Sequence, residues 1–150
     1  MKDVIKKILK KYAEEQEKIL VIPSLKYFNN DWDLLQKFLD SKGNPKWRIG
    51  DSLNLESAPI KSLGNLTSVG GNLDLIGTEI KSLGNLQSVG GVLDLGNTPI
   101  ESIGNLTTVG GGLYLGSTPI ESLGNLQSVG GSLDLEGTQI QSLGNLTSVG

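Results

Sequence analysis

The sequence predicts a repeat solenoid with five stacked coils of 20 residues over residues 50–150. An α-helical amino-terminal cap over residues 1–49 precedes the coils. Two observations lead to this prediction. A 20-residue unit recurs five times with little change, as in the copy GNLDLIGTEIKSLGNLQSVG at 71–90. A fixed period of this length is typical of solenoids, in which each unit buries its apolar side only against its neighbours. The first fifty residues lack the repeat and contain both Trp and both Phe of the chain, so they form a separate part.

A first helix is predicted near the amino terminus, because apolar residues recur there every three or four positions, the spacing of one helical face. This apolar face consists of Val4, Ile5, Ile8, Leu9 and Tyr12. Lysines surround it, as in a basic helix that lies on a membrane, but Glu14, Glu15 and Glu17 argue against that function. Pro23 ends or redirects the element. We therefore expect the helix to pack within the cap and to bind no membrane.

A second helix is predicted after Asn30, which suits the N-cap position, with Asp31 and Asp33 in the first turn. Its apolar stripe consists of Leu34, Leu35, Phe38 and Leu39. The segment 42–45, Lys-Gly-Asn-Pro, ends the helix, because Gly and Pro after a helix are stop signals.

The segment 47–51 precedes the first coil at the position that 67–71 holds before the second coil. It is therefore a bulkier, charged version of that part of the repeat. The end of a solenoid exposes apolar edges and unpaired backbone, which a cap must cover. We therefore interpret the first 49 residues as a cap. Docking of a helix to another protein is the alternative function for this segment.

Each coil is predicted to contain a short strand, since Leu73 and Leu75 alternate with other residues in the period of a strand with one buried face. The apolar residues of the return path recur every three positions, as Ile80, Leu83, Leu86 and Val89. This spacing suits 3-10-like or extended segments. The paired glycines before each strand, such as Gly70 and Gly71, are expected to adopt positive φ in a sharp turn.

Three polar columns are predicted to stack along the coils. They consist of Thr78, Thr98, Thr118 and Thr138; of Asn65, Asn85, Asn105, Asn125 and Asn145; and of Ser62, Ser82, Ser102, Ser122 and Ser142. Identical polar residues at one point of successive coils can hydrogen-bond the backbone of the bends. We therefore interpret these columns as structural.

The segment L-x-L-x-x-T-x-I-x-S-L-G-N-L-x-S-V resembles the bacterial leucine-rich repeat family, with internalin-like short units as a close comparison. Thr78 matches the family position that holds Asn, Thr or Cys, and Ile80 matches the apolar residue two positions further on. The unit departs from the family in being short and in having Gly70 where the family has Leu. The resemblance implies a parallel strand surface that binds other proteins, no enzyme chemistry, and a bacterial or phage source. A three-faced β-helix is the competing fold.

Composition excludes several classes of function. The chain has no cysteine and no histidine, which excludes disulfides, thiolate nucleophiles, histidine acid–base chemistry and the usual zinc ligands. No stretch approaches the roughly 18–20 apolar residues of a membrane span. The amino terminus is too charged for a secretory signal. With the absence of cysteine, these features predict a cytoplasmic protein.

The charge of the repeats further restricts the partners. Residues 51–150 carry two Lys against nine Asp or Glu, whereas nucleic acid requires a basic surface. Single acids on adjacent strands supply too few oxygens for calcium, and carboxylates on an open face have no cleft for catalysis. We therefore expect no enzyme activity, no cofactor, no metal and no nucleic-acid partner.

Outward positions on the strands differ between copies, so they are expected to bind a protein partner. These positions are Asn54, Asp74, Asp94, Tyr114 and Asp134 in a central column, with Val92 and Ile76 beside it. Tyr114 lies between Gly112 and Gly116, which are expected to leave its ring accessible on both sides. An exposed Tyr among acids suits a hot spot for a cationic or Arg-bearing partner. Neutral variation of one outward position is the alternative interpretation.

The last coil repeats the unit with no divergent closing copy, so its apolar residues are expected to line an open edge. They are Leu133, Leu135, Leu143, Leu146 and Val149. An uncovered edge is a template for pairing. We therefore expect a homodimer or other homo-oligomer through this edge; the alternative is that the chain is a piece of a longer array.

A self-assembling fibre and an ice-binding solenoid are the alternative functions of the chain, although the doubled Thr-x-Thr pattern of ice-binding solenoids is absent.

Overall fold

A computed structural model gives the structure of residues 2–16 and 18–150, and within them the chain forms two α-helices, one 3-10 helix and twelve short strands. Helix α1 spans Lys2–Gln16, the 3-10 helix spans Leu25–Phe28, and helix α2 spans Trp32–Ser41. The strands stack coil upon coil into two parallel sheets. The predicted repeat solenoid with parallel sheets and an amino-terminal helix is confirmed.

The first sheet has five strands, one from each coil. They are β3 (Leu53–Asn54), β5 (Leu73–Asp74), β7 (Leu93–Asp94), β9 (Leu113–Tyr114) and β11 (Leu133–Asp134). Each residue pairs in parallel with the residue 20 positions further on, as Leu73 with Leu93 and Asp74 with Asp94. The sequence period therefore fixes the register of the sheet, and equivalent residues form straight columns.

The second sheet has seven strands and occupies the return path. They are β1 (Leu20–Ile22), β2 (Trp47–Ile49), β4 (Leu66–Val69), β6 (Ser88–Val89), β8 (Thr108–Val109), β10 (Ser128–Val129) and β12 (Ser148–Val149). The return path is thus extended, and in the described part of the chain the one 3-10 segment lies in the cap. Isolated parallel bridges, Ser82 to Ser102 and Ser122 to Ser142, join coils on a further side.

The core is a ladder of apolar side chains that point inward from both sheets. Leu93 and Leu95 of one coil are fully buried, as are Ile100 and Leu106 on its return path. Each coil contributes too little apolar surface for a core of its own, so neighbouring coils bury each other's side chains. The hydrophobic effect therefore acts along the whole array.

The threonine and serine columns are structural, as predicted. Thr98 is 3% exposed, and its Oγ1 donates a hydrogen bond of 2.8 Å to the carbonyl oxygen of Leu95. The Oγ of Ser102 accepts a hydrogen bond of 3.0 Å from the backbone N–H of Gly104. The same pairs recur in other coils. The threonine column lies inside the coils and therefore forms no surface lattice.

The paired glycines have a different function from the predicted one. Neither Gly70 nor Gly71 has a positive φ. Successive coils instead approach so closely that a Cβ at Gly111 would lie 2.9 Å from the carbonyl carbon of Gly91. Positive φ occurs instead at the glycine that precedes each residue of the asparagine column, as at Gly104 before Asn105, with φ 58°. The expectation of positive φ at the glycine pairs is wrong, because close backbone contact imposes glycine there.

Helix α2 and strand β2 cover the first coil. Leu35 and Leu39 of α2 are fully buried, and so is Trp47. The N-cap of α2 is Asp31, whose Oδ1 accepts hydrogen bonds from two backbone N–H groups; the prediction of Asn30 is wrong by one residue. Asn30 instead takes a left-handed φ of 56° before the helix begins.

The predicted register of β2 holds for two of its residues. Arg48 lies opposite Ser68, and Ile49 lies opposite Val69. Trp47 pairs with Leu66 instead of the predicted Thr67, because the register shifts between Trp47 and Arg48. This shift places the indole in the core, where the ring centroids of Trp47 and Trp32 lie 5.9 Å apart.

Helix α1 does not pack in the cap, so that expectation is wrong. Its apolar side chains are 51–61% exposed, and they are Val4, Ile5, Ile8, Leu9 and Tyr12. The rest of the cap packs without contribution from these side chains, because β1 pairs with β2 and α2 covers the core. Within the described residues, no helix combines the length and the apolar character needed to cross a membrane.

Candidate binding surface

The outward surface of the five-stranded sheet, called here the strand face, contains the residues predicted to bind a partner. Its central column consists of Asn54, Asp74, Asp94, Tyr114 and Asp134, in that order along the solenoid. Neighbouring strands lie about 4.8 Å apart. Asn54 is exposed, and the other four side chains are half-buried. The predicted juxtaposition of these residues follows from the parallel register.

The acidic column has a structural function that the predictions from sequence did not include. In each of four coils the Oδ1 of the central residue accepts a hydrogen bond from the backbone N–H two positions further on. These bonds join Asn54 to Glu56 (3.0 Å), Asp74 to Ile76 (3.0 Å), Asp94 to Gly96 (3.0 Å) and Asp134 to Glu136 (2.9 Å). This is the Asx-turn that Asn and Asp favour at the start of a bend, and the recurrence of Asn or Asp just before each bend was its sequence signal.

Tyr114 is the exception in this column. Its side chain has no carboxylate or amide oxygen with which to accept from the N–H of Gly116, so the fourth coil gives up the bond that the others make. The ring instead lies over Gly112, where a Cβ would lie 2.9 Å from ring atom Cε2 and from the hydroxyl oxygen Oη of Tyr114. The expectation that the ring is accessible on both sides is therefore wrong, because one face of it covers the buried Gly112.

A shallow depression of about 310 Å³ lies beside the ring on the strand face. Its lining includes Ile76, Asp94, Gly96, Tyr114, Gly116 and Asp134. The space above Gly116 is open, since an added Cβ there would lie 3.7 Å from its nearest neighbour, the carbonyl oxygen of Glu136. Four of the seven predicted partner-binding residues thus meet in one concavity.

The other three predicted residues lie elsewhere on the strand face. Asn54 lines a separate depression of about 460 Å³ with Ser24, Lys26 and Asp51. Asp74 does not line either depression, and its Oδ1 is bound to the backbone. Val92 is half-buried, and its N–H donates to the Oδ1 of Asn72 at 2.8 Å. These three residues extend the surface around the depression at Tyr114.

The depression is acidic. Asp94 and Asp134 lie on the strands that pair with the strand of Tyr114. The two lysines of the array, Lys61 and Lys81, line a different depression. An aromatic ring flanked by two carboxylates is chemically suited to a cation, and above all to a guanidinium, which can stack on the ring and pair with carboxylate.

A longer trough of about 620 Å³ runs along the seven-stranded sheet. Equivalent residues of five coils line it, beginning with Ser68, Val69 and Gly70. Its lining has no charged side chain and no aromatic ring. The trough therefore offers few groups that distinguish one ligand from another, and the depression at Tyr114 has the more specific chemistry.

The last coil exposes part of the predicted edge. Leu143 is 51% exposed, whereas Leu123, its equivalent one coil earlier, is fully buried. Val149 is 46% exposed, whereas Val129 is 1% exposed. The remaining residues of the predicted edge are partly buried, and they are Leu133, Leu135 and Leu146. The edge is thus a surface of apolar side chains beside the outer strands β11 and β12.

No protein-family model, curated protein or solved structure matches this chain. The resemblance to leucine-rich repeats therefore stands on the repeat motif alone.

Proposed function

We propose that the chain is a non-enzymatic binding module of the leucine-rich-repeat kind, which holds a cationic segment of a protein partner on its strand face at Tyr114. The exception at Tyr114 carries this proposal. Four coils use the central position for a hydrogen bond that stabilises the bend, and the fourth coil replaces that bond by an aromatic ring beside an open depression. A side chain that gives up a stabilising bond in exchange for a half-exposed ring is suited to recognition.

The chemistry of the depression defines the segment that it accepts. A guanidinium can stack on the outer face of the Tyr114 ring, since the inner face is covered by Gly112. Asp94 and Asp134 flank the ring and supply carboxylate partners for charge-assisted hydrogen bonds. Ile76 supplies an apolar wall for the aliphatic stem of the side chain. We infer a segment with basic side chains as the partner, with Arg the best match to the ring and carboxylates and Lys able to take the same place.

Peptide display tests this proposal even though the partner is unidentified. A random peptide library is selected on the wild-type chain and counter-selected on Tyr114→Asn, which supplies an acceptor for the bend, as Asn54 does. We expect the selected peptides to be rich in Arg and to bind Tyr114→Asn at least about tenfold more weakly. Thr108→Ala, on the exposed surface of the other sheet, is the matched control and should bind as wild type. Selected peptides without basic residues, or with equal affinity for Tyr114→Asn, would overturn the proposal.

We further propose that the exposed edge of the last coil pairs with a second copy of the chain. The exposure of Leu143, against the full burial of Leu123, is the observation that favours this pairing. Light scattering over a roughly hundredfold concentration range should give the mass of a dimer for the wild type and of a monomer for Leu143→Asp. A wild type that stays monomeric throughout, or a Leu143→Asp variant that still dimerises, would contradict the proposed edge contact.

A further inference from the structure

Helix α1 carries an apolar face that no described residue covers. Its members are Val4, Ile5, Ile8, Leu9 and Tyr12, each more than half exposed. The same helix carries five lysines against three acids, which are Asp3 near its start and Glu14 and Glu15 near its end. The lysines are Lys2, Lys6, Lys7, Lys10 and Lys11. Contiguous exposed apolar residues on a protein surface mark an interaction site, and the lysines around this one give it a positive rim.

We propose that helix α1 of one copy docks on the strand face of a second copy. This inference rests on the proposed function of the strand face and names its partner as a second copy of the same chain. Charge complementarity supports it, because the helix is basic and the strand face is acidic through Asp74, Asp94 and Asp134. The apolar face of the helix packs against Ile76 and Tyr114, which line the depression.

The dimensions of the two surfaces agree. Helix α1 has 15 residues and a length of about 22 Å. The five strands of the strand face span about 19 Å from the first to the last. Lysines four positions apart rise about 6 Å along the helix, close to the spacing of the strands. A helix that lies along the solenoid axis therefore brings successive lysines near successive acids of the column.

Pairing of α1 with α1 is less favourable than this contact. Each helix carries five lysines against three acids, so two such helices in contact would bring two net positive charges together, and like charges at short distance repel. The strand face of a second copy offers carboxylates instead, and it is present at the same concentration as the helix. The contact joins two different surfaces, so it is heterologous, and repeated docking builds a head-to-tail chain of copies or a closed ring.

A mixing experiment tests this contact, with Leu143→Asp in every chain so that the last coil does not pair. The helix variant carries Ile8→Asp and Leu9→Asp, at side chains that are both 61% exposed and therefore outside the core. The face variant carries Asp94→Asn, Tyr114→Asn and Asp134→Asn. These Asn side chains provide an Oδ1 acceptor for each bend, while the substitutions remove the ring and both charges. Thermal melting confirms that both variants fold.

Light scattering then gives a clear result. We expect the parent to form oligomers, each variant alone to be monomeric, and an equimolar mixture to form a heterodimer with about twofold higher mass. The mixture pairs because the face variant retains an intact helix and the helix variant retains an intact strand face. High salt should weaken this heterodimer, since its charges lie at the surface. A mixture that stays monomeric, or a helix variant that still self-associates, would overturn the proposal.

Two further outcomes identify other occupants, and each overturns the docking of a second copy. A parent that is monomeric and binds vesicles containing phosphatidylserine through Ile8 and Leu9 would assign α1 to a lipid surface. A monomeric parent whose strand face still binds selected Arg-bearing peptides would leave the proposed function in place and remove α1 as its partner. Failure of both the mixture and the peptide selection would remove both proposals.

Discussion

The ring of Tyr114 lies over Gly112, and a Cβ at Gly112 would lie 2.9 Å from both Cε2 and Oη of that side chain. Residues two positions apart on a strand share one face, so the two positions are coupled by packing. The equivalents of Gly112 in the other coils are larger, namely Ser52, Asn72, Val92 and Ser132, and there the central residue is Asn or Asp. The fourth coil thus has a glycine where it has an aromatic ring.

Gly112→Ala should displace the ring of Tyr114 and weaken peptide binding at least about tenfold, because the added Cβ takes the space of the ring. The ring is the end of a rotatable side chain, so we expect a stability loss of no more than about 1 kcal/mol. Gly116→Ala is the matched control for stability, since its Cβ fits without displacement. Titration calorimetry and thermal melting measure the two effects. Unchanged binding in Gly112→Ala would show that the ring position is not required.

Leu95→Asp should unfold the array, because it places a charge at a side chain that is fully buried between coils. We expect a loss of about 4 kcal/mol or more in the free energy of unfolding. Asp94→Asn, at the neighbouring outward position, is the control and should change stability little. Circular dichroism during heating measures both. A small effect of Leu95→Asp would mean that the inward and outward faces of this strand are reversed.

Gly111→Ala should be strongly destabilising, because its Cβ would lie 2.9 Å from backbone of the preceding coil, which cannot move aside without unstacking. Gly124→Ala provides the contrast. Its φ is 53°, but a Cβ there would meet no atom within 4 Å, so only the left-handed backbone is strained, by about 1–2 kcal/mol. Chemical denaturation compares the two variants. Equal losses would show that close coil contact is not what requires the glycine pairs.

Ser117→Gly should stabilise the chain by about 1 kcal/mol, because Ser117 has a left-handed φ of 59° that glycine adopts without strain. The equivalent residues in two other coils, Gly77 and Gly137, are already glycine. Ser132→Gly, at the position just before strand β11 and without positive φ, is the control and should lower stability by up to about 1 kcal/mol. Denaturant midpoints decide between them. A loss of stability in Ser117→Gly would point to a contact of its side chain that outweighs the strain.

The repeat made the fold predictable, because a period of 20 residues fixes both the parallel register and the inward positions of residues such as Leu93 and Leu95. The glycine pairs were misinterpreted for a physical reason. The recurrence of glycine at one position of the repeat indicates that glycine is required there, but not why. Gly104 is required for its positive φ, whereas Gly111 is required for close contact between backbones. Only the distance between coils distinguishes these two requirements.

The sequence predicted which residues lie on the strand face, but it did not predict the contacts among them. The period placed Asp94, Tyr114 and Asp134 in one column, as the structure has them. The turn bond of Asp94 to Gly96 and the packing of the Tyr114 ring depend on rotamers, which periodicity does not specify. The exposure of α1 was likewise missed, because an amphipathic pattern indicates a face to be covered but not which surface covers it.

Titration calorimetry of one selected Arg-bearing peptide against wild type and Tyr114→Asn tests the proposed binding surface most directly. Asn at position 114 restores an acceptor for the bend, so the melting temperature should stay equal or rise while the affinity falls at least about tenfold. That separation of stability from binding is the predicted result. Equal affinity of the two chains for the peptide would contradict a binding function of the strand face at Tyr114.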